Sequence, residues 1–217
     1  RGCDLSKVYQ VFNDLHFEIA KQSKEDESIM PIIVVKSTVI PGTTDSLSKM
    51  YPYVCYNPEF LRANDALDDF LHPDRIIIGS GSTRVKDIMT ELYKEWDTNH
   101  FLYTSFKEAE LIKYMSNAFL VMKVAFSQEV NHISQMLGID PNKVYEGLIT
   151  DIRVNPSHLY PQLGPIRTSS PCLPKDMKAL IIQLDESGYD SHLLKSAYAK
   201  GVADIRMGVK FHVEEKE

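Results

Sequence analysis

A single uninterrupted stretch, residues 105–137, constrains the fold of this chain more than any other part of it. It contains neither proline nor glycine, and its apolar side chains recur three or four positions apart, as along one face of a helix. A helix of about 30 residues rises roughly 45 Å. Gly138 follows in the usual C-cap position, and Asp140 with Pro141 has the order that opens another helix. We therefore predict an all-α region, residues 105–217, built on one long helix.

The preceding part of the chain, residues 1–104, has a different pattern. Residues 31–35 form a β-branched run that is typical of a strand buried on both faces of a parallel sheet. Strands that alternate with helices predict βαβ units and a right-handed parallel sheet, and therefore an α/β fold. The other predicted strands are residues 53–56, 75–78 and 101–103, and the predicted helices are residues 4–22, 44–50 and 83–96.

Composition and charge exclude several classes of protein. A net charge of -6 argues against nonspecific nucleic-acid binding. No apolar run approaches the ~20 residues that a membrane-spanning helix needs. The three cysteines are an odd number without metal-ligand spacing, and the histidines show none either, so we expect no disulfide framework and no metal site. This cysteine usage is typical of a reducing, cytoplasmic compartment.

Cys172 carries the strongest chemical signal in the sequence. It directly follows a segment with four prolines, residues 154–171, and precedes a predicted helix at residues 174–186. Backbone N–H groups and the helix dipole stabilise an anion there, and Lys175 and Asp176 place charged groups beside the sulfur. These features predict a reactive thiolate. The alternative is a buried structural cysteine, because unpaired cysteines are among the most buried residue types.

Three polar residues recur at helical spacing in the long predicted helix. Glu110, Lys113 and Asn117 fall on one face, where an ammonium and a side-chain amide could stabilise an oxyanion. The alternative is a solvated polar stripe with a Glu–Lys pair, which contributes only ~0–1 kcal/mol at a surface. Spacing alone leaves both interpretations open.

Two loops follow predicted strands of the parallel sheet, where α/β proteins place their ligands. Residues 57–62 contain Glu59, which could act as a general base. Residues 36–42 contain Thr38, which could hydrogen-bond a cofactor or a water molecule. The alternative for both segments is an ordinary exposed turn.

Taken together and in this order, these segments closely resemble the UDP-glucose/GDP-mannose dehydrogenase family from about residue 5 to residue 200. The HPDRIIIG segment resembles the UDP-glucose enzymes more than the GDP-mannose or UDP-N-acetylhexosamine ones. The matching stretches are KSTVIPGTT (36–44), NPEFLRANDALDDFLHPDRIIIG (57–79), EAELIKYMSNAFLVMKVAFSQEVNHISQMLGID (108–140), DIRVNPSHL (151–159) and CLPKD (172–176).

The resemblance implies an NAD-dependent oxidation of a nucleotide sugar, UDP-glucose, at C6 to the uronic acid in two hydride transfers. Cys172 would form a thiohemiacetal and then a thioester, which water hydrolyses. Lys113 and Asn117 would hold the developing alkoxide, Asp176 would position water, and Glu59 would be the base for hydrolysis. The implied fold is the second part of a Rossmann-like parallel sheet followed by an all-α dimerisation domain.

The resemblance also implies contacts with the cofactor, the substrate and a second subunit. Thr38 and Lys175 would contact NAD, whereas Phe60 and Leu61 would present backbone groups to the nucleotide sugar. A homodimer would form through the long helix, residues 105–137. In that dimer, Arg153 would reach the neighbouring subunit's site.

Two departures from the family pattern qualify this expectation. The glycine-rich stretch before the nucleophile is replaced by residues 167–171, where serine is disfavoured if φ is positive. The chain starts at Arg1 and contains neither the GxGxxG unit nor the C-terminal nucleotide-binding domain. We therefore expect a fragment that is inactive by itself. A noncatalytic dimerisation module, or a dehydrogenase for GDP-mannose or a UDP-N-acetylhexosamine, remains the alternative.

Overall fold

The structure is a computed structural model that describes residues 3–22, 30–62, 65–96, 98, 100–154 and 172–207. The chain divides into two compact units, Arg1–Met115 and Ser116–Glu217. The boundary between them falls inside one helix, Phe106–Met136.

The first unit contains the four predicted strands in a single sheet of order β1-β2-β3-β4. Asp4 caps the first helix, since its carboxylate accepts a hydrogen bond from the backbone N–H of Ser6 at 2.9 Å. The elements are α1 (Ser6–Gln22), β1 (Ile33–Val35), α2 (Thr43–Ser48), β2 (Val54–Tyr56), α3 (Ala66–Leu71), β3 (Ile76–Gly79), α4 (Thr83–Leu92), β4 (Phe101–Thr104) and α5 (Phe106–Met136).

The prediction of an all-parallel sheet is wrong at one pair of strands. β1 pairs with β2 and β3 with β4 in parallel, but β2 and β3 are antiparallel and meet at Tyr56 and Gly79. Helix α3, which connects β2 to β3, buries none of its residues. It therefore does not pack on the sheet as a crossover helix, and without such a crossover the chain returns in the opposite direction.

Both faces of this sheet are covered, as the β-branched run predicts. Successive side chains of a strand point to opposite faces. Val54 and Tyr56 accordingly pack in one apolar cluster with Phe12 of α1, while Cys55 packs in a second cluster with Met89 of α4. The sheet therefore has a helix layer on each side, which is the architecture expected of a Rossmann-like α/β domain.

The beginning of α5 lies close against the end of β3. A Cβ atom added at Gly79 would approach the Cβ of Ala109 to 2.8 Å and the backbone oxygen of Ser105 to 3.0 Å. Only glycine fits at this position without a shift of the helix. This close contact fixes the first turns of α5, and with them Glu110 and Lys113, relative to the sheet.

The second unit is entirely helical where the structure describes it. The long helix predicted at residues 105–137 is confirmed as α5, with 31 residues. Gly138 follows it with φ +68°, and the Asp140 side chain caps the next helix by accepting from the N–H of Asn142. The remaining elements are α6 (Pro141–Leu148), a 3₁₀ turn (Ile152–Val154), α7 (Cys172–Glu186) and α8 (His192–Met207).

Two of these helices contact α5 directly. The Tyr145 hydroxyl of α6 donates to the backbone oxygen of Ser127 at 2.6 Å, and Gly201 of α8 lies close to Val121. The predicted loop 154–171 falls outside the described residues except for Val154. In the described segments, none of the helices combines the length and the apolar character needed to cross a membrane.

Candidate active site

Lys113 and Glu59 form an ion pair in the first unit, in which the lysine is buried and the glutamate is partly exposed. The Lys113 side chain is only 7% exposed, and its ammonium donates to the backbone oxygen of Glu59 at 2.5 Å and to its carboxylate at 3.3 Å. The other carboxylate oxygen of Glu59 accepts from the N–H of Leu61 at 2.7 Å. The loop after β2 is thus fastened to α5 by a cation that also lies 5.2 Å from the Phe60 ring centre.

Glu110 fastens the loop after β1 to the same helix. Its side chain is fully buried, and its two carboxylate oxygens accept from the backbone N–H groups of Gly42 at 2.6 Å and Thr44 at 2.7 Å. Gly42 has φ +99°, a conformation that other residues rarely adopt. Burial raises the pKa of Glu110, whereas these hydrogen bonds lower it. The loop that carries Thr38 is therefore held against α5 by a buried carboxylate.

These contacts exclude one of the two interpretations of the polar stripe, and the role in stabilising an oxyanion stays a prediction. Glu110, Lys113 and Asn117 are all buried, and Glu110 and Lys113 have different partners rather than each other. The alternative of a solvated stripe with a Glu–Lys surface pair is wrong. Polar groups buried this deeply must be hydrogen-bonded, because leaving one unpaired costs about 1–3 kcal/mol.

In the second unit, Asn117 of α5 pairs with Asp176 of α7. The Asn117 amide donates to one carboxylate oxygen of Asp176 at 2.7 Å, and the ammonium of Lys175 contacts the other. Asp176 is 1% exposed, while the Lys175 side chain is 60% exposed. A buried carboxylate thus has a neutral donor on one side and a cation on the other, which orients both of its oxygens.

Cys172 is exposed and is the first residue of α7. The helix begins two residues earlier than predicted, so the sulfur lies within the first turn rather than ahead of it. The alternative of a buried structural cysteine is wrong for Cys172 but describes Cys55, where burial raises the thiol pKa to about 12. A thiol at a helix N-terminus is placed where the helix dipole favours its anion.

The remaining predicted contact residues differ in their surroundings. Thr38 is partly buried beyond the end of β1. The Phe60 ring is partly buried under the guanidinium of Arg75, which lies 3.9 Å from the ring centre. Arg153 is exposed, and its guanidinium forms a two-point contact with Asp151, which raises the pKa of Arg153. The replaced glycine-rich stretch, residues 167–171, lies outside the described residues.

The contact of Glu110 with Gly42 and Thr44 does not follow from the sequence analysis. The sequence does contain a signal for an acceptor at this place: a Pro-Gly turn precedes a short helix, whose first N–H groups need an acceptor. Likewise, Asn117 and Asp176 were each predicted as site residues, but nothing in the sequence showed that they bond directly.

These groups have complementary chemical capacities. Cys172 offers an accessible sulfur nucleophile. Lys113 and Asn117, which lie four positions apart on α5, offer an ammonium and an amide as hydrogen-bond donors. Asp176 and Glu59 offer carboxylates that can orient or deprotonate water. Lys113 and Glu59 belong to the first unit, whereas Asn117, Cys172 and Asp176 belong to the second.

Two family models match the chain and together cover most of it. Residues 1–97 match the NAD binding domain of the UDP-glucose/GDP-mannose dehydrogenase family, and residues 107–200 match its central domain. The first match confirms NAD as the cofactor that the resemblance implies.

Individual relatives agree with the family models. The chain is 35% identical over 213 residues to UDP-glucose 6-dehydrogenase of Pseudomonas aeruginosa, covering 92% of this chain and 45% of the relative. It is 38% identical over 190 residues to the enzyme of the same name from Rhizobium meliloti, covering 82% and 41%. The chain therefore spans less than half the length of the curated relatives that it matches.

Solved structures extend this similarity to the fold. A UDP-glucose dehydrogenase from the archaeon Pyrobaculum islandicum matches with a TM-score of 0.68 at 32% identity, covering 79% of this chain and 41% of that one. A GDP-mannose dehydrogenase from Pseudomonas aeruginosa matches with a TM-score of 0.63 at 27% identity, covering 93% and 47%. Two domain models, these relatives and the shared fold agree: the chain belongs to the UDP-glucose/GDP-mannose dehydrogenase family.

Proposed function

We propose that this chain supplies the nucleophile and part of the cofactor site of a UDP-glucose 6-dehydrogenase. In this proposal, an α/β part at residues 1–104 contributes cofactor contacts, and a helical part at residues 105–217 contributes the thiol. One observation carries most of the weight. Cys172 is exposed at the start of α7, whose buried Asp176 is oriented by Asn117.

The proposed reaction converts the C6 alcohol of the sugar into a carboxylate. Oxidation removes a hydride and a proton from the alcohol and yields an aldehyde. The Cys172 thiolate then attacks the aldehyde carbon and forms a C–S bond, and loss of hydride from this thiohemiacetal leaves a thioester. Water adds to the thioester carbonyl, the C–S bond breaks, and the thiolate is regenerated with the uronic acid.

Lys113 and Asn117 support the steps in which oxygen carries negative charge. The Lys113 ammonium has three N–H donors, and its contacts with Glu59 use two of them. The Asn117 amide has two N–H donors and gives one to Asp176. Each side chain therefore keeps one N–H group that can donate a hydrogen bond to a developing alkoxide. Their contacts with Glu59 and Asp176 hold them in place beforehand, which lowers the cost of reorganisation.

Asp176 and Glu59 are the residues proposed to orient and deprotonate the water molecule. The buried carboxylate of Asp176 can accept a hydrogen bond from water beside the sulfur of Cys172, four positions earlier on the same helix. The Glu59 side chain is 39% exposed, so one carboxylate on the loop after β2 remains accessible. It can accept the proton that water loses during hydrolysis of the thioester.

The residues present suit one part of an NAD site. β1 and β2 are parallel, so the loops that follow them leave the same edge of the sheet, where α/β proteins bind nucleotides. Thr38 on the first of these loops, and the exposed ammonium of Lys175, are the proposed contacts. NAD, when bound, accepts hydride from the sugar carbon. The backbone groups of Phe60 and Leu61 are the proposed contacts for the nucleotide sugar.

The substrate assignment is tested by turnover of the protein extended to the full length of its relatives. We expect two reduced cofactors per molecule of sugar acid, because the alcohol loses four electrons. We also expect kcat/KM for UDP-glucose to exceed that for GDP-mannose or UDP-N-acetylglucosamine by about tenfold or more, the usual effect of a lost pocket contact. One reduced cofactor per product, or a preference for GDP-mannose, would contradict the assignment. Absence of turnover with every nucleotide sugar would instead favour a noncatalytic module.

We further propose that α5 forms a homodimer. Phe119, Phe126 and Ile133 are spaced seven positions apart on this helix and are 58%, 50% and 43% exposed. We call these three residues the heptad stripe. Large apolar side chains in such a row indicate a surface that packs against another helix. The stripe supports a two-fold dimer because each subunit presents the same surface. Arg153 is the proposed contact to the partner subunit's site.

Replacement of Phe126 by glutamate should weaken this dimer by about 100-fold or more, because it would bury an unpaired charge in an apolar interface. Sedimentation equilibrium across a range of concentrations measures the change. Leu193→Glu on α8 is the matched control, since Leu193 is an equally apolar exposed residue outside the stripe. A wild-type chain that remains monomeric at high concentration would show that the stripe does not mediate dimerisation.

A further inference from the structure

Asn57, the first residue after β2, uses all of its polar groups in hydrogen bonds. It is 2% exposed. Its backbone N–H donates to the oxygen of Val35, and its side-chain amide donates to the oxygen of Ile77, both at 2.9 Å. Its side-chain oxygen accepts from the Tyr93 hydroxyl at 2.6 Å and from the Lys36 ammonium at 2.9 Å. The start of the loop is thus hydrogen-bonded to β1, to β3 and to the residue that follows α4.

The Lys36 ammonium also donates a hydrogen bond to the backbone oxygen of Asn57, at 3.2 Å. This carbonyl belongs to the peptide bond that leads into Pro58. Proline has no N–H, so the loop lacks one of the backbone donors with which a turn could fix itself. An ammonium from the neighbouring strand end supplies a donor instead. Two residues later, Glu59 meets Lys113.

The electrostatics agree with this arrangement. Lys36 is exposed as a whole residue, but its ammonium lies among Asn57 and Tyr93, and this partial burial lowers the Lys36 pKa. The charge of Glu59 acts in the opposite direction and favours the protonated amine. Burial also raises the pKa of Tyr93, so its hydroxyl remains a donor to Asn57.

We propose that Lys36 is a positioning residue: through Asn57 it fixes the loop that presents Glu59 to Lys113. The Lys36 ammonium contacts Asn57 and the Tyr93 hydroxyl rather than either member of that pair, so its effect is transmitted by the Asn57–Pro58 peptide. The catalytic meaning of the Glu59–Lys113 pair rests on the proposed function, but the mechanical role of Lys36 does not.

The test measures how well Lys113 is protected in the chain itself. Amine labelling followed by peptide mass spectrometry gives the modification rate of each lysine. Lys36→Met removes both hydrogen bonds to Asn57, and we expect Lys113 to be labelled about tenfold faster, the factor typical of losing a charge-assisted hydrogen bond. Lys36→Gln, which keeps a shorter neutral donor, should give an intermediate rate, and Lys36→Arg should restore protection.

Lys94→Met is the matched control, because Lys94 is an exposed lysine of the same unit that pairs with Glu91 at the surface. Chemical denaturation of each variant establishes that it is folded. If Lys113 keeps its wild-type labelling rate in a folded Lys36→Met chain, or if Lys94→Met exposes Lys113 equally, the proposal is wrong. Should Lys36→Met not fold, the Lys36→Gln rate decides by the same criterion.

A second measurement links this role to catalysis in the full-length protein. There we expect Lys36→Met to lower kcat by about tenfold with KM nearly unchanged, because a misplaced group affects the transition state more than substrate binding. Increased Lys113 labelling without a change in kcat would support the positioning role of Lys36 but count against a catalytic role of the Glu59–Lys113 pair. The two failures are therefore distinguishable.

Discussion

Replacing Cys172 by serine should lower kcat of the full-length protein on the order of 10⁴-fold, as expected when a catalytic nucleophile is lost. A serine hydroxyl has nearly the shape of the thiol but is almost entirely protonated at neutral pH. Attack on the aldehyde and formation of the thioester therefore fail, while the exposed position at the start of α7 tolerates the change. The rate of NAD reduction with UDP-glucose measures the effect. Cys3→Ser is the control and should retain full turnover, whereas a Cys172→Ser protein within tenfold of wild type would disprove the nucleophile assignment.

The isolated chain permits an independent check of the same thiol. Cys172 is exposed, whereas Cys55 is buried with a pKa raised to about 12. Near neutral pH this leaves Cys55 with a thiolate fraction about 10³-fold below that of an ordinary thiol of pKa ~8.5. Iodoacetamide should therefore alkylate Cys172 and spare Cys55 until the chain is unfolded by denaturant. Equal resistance of both thiols in the folded chain would remove the basis for a reactive Cys172.

Replacing Glu110 by alanine should lower the free energy of unfolding by about 2–4 kcal/mol, since each of two backbone N–H groups left without an acceptor costs about 1–3 kcal/mol. Release of the buried carboxylate offsets part of this cost. Urea denaturation at neutral pH measures the change. Glu91→Ala is the matched control, because Glu91 is an exposed glutamate of the same unit that pairs with Lys94 at the surface, so its removal should lower the free energy of unfolding much less. Equal effects of the two substitutions would show that the contacts of Glu110 with Gly42 and Thr44 do not contribute to the free energy of unfolding.

The pH dependence of stability provides a second signature of Glu110. Burial raises its pKa from the ordinary value of 4.5, so the folded chain binds this proton more tightly than the unfolded chain does. The stabilisation from this proton is complete below the ordinary pKa and disappears as pH rises through the raised pKa. The stability of the wild type relative to Glu110→Gln should therefore decrease across that window. Glu108 behaves oppositely: its pKa is lowered to about 2, so its contribution is lost as pH falls. A wild-type advantage that is constant with pH would contradict the buried assignment.

The elements that could be predicted from sequence are those whose pattern is local. The long helix follows from the absence of proline and glycine together with one apolar period, and its observed ends differ from the prediction by a single residue each. The four strands follow in the same way from short β-branched runs. Gly138 and Asp140 mark helix ends because capping depends on only a few neighbouring residues.

The features that could not be predicted depend on which distant segments meet. The direction of β3 relative to β2 is set by how α3 packs, and α3 has ordinary helix-forming residues that do not reveal that it stays on the surface. The spacing of Glu110, Lys113 and Asn117 gives their common helix face but not their partners, which lie 54 to 68 residues away for the first two. Exposure of Cys172 likewise depends on tertiary packing rather than on its flanking residues.

The reversal between β2 and β3 has a consequence for the segment that carries Glu59. Because the strands overlap only at Tyr56 and Gly79, the chain beyond Tyr56 continues beside β3, where the Asn57 amide reaches the backbone of Ile77. The carboxylate of Glu59 is therefore carried by a segment whose first residue is hydrogen-bonded to the sheet. Natural variation in this loop should consequently be tolerated at its outer residues and resisted where it borders the third strand.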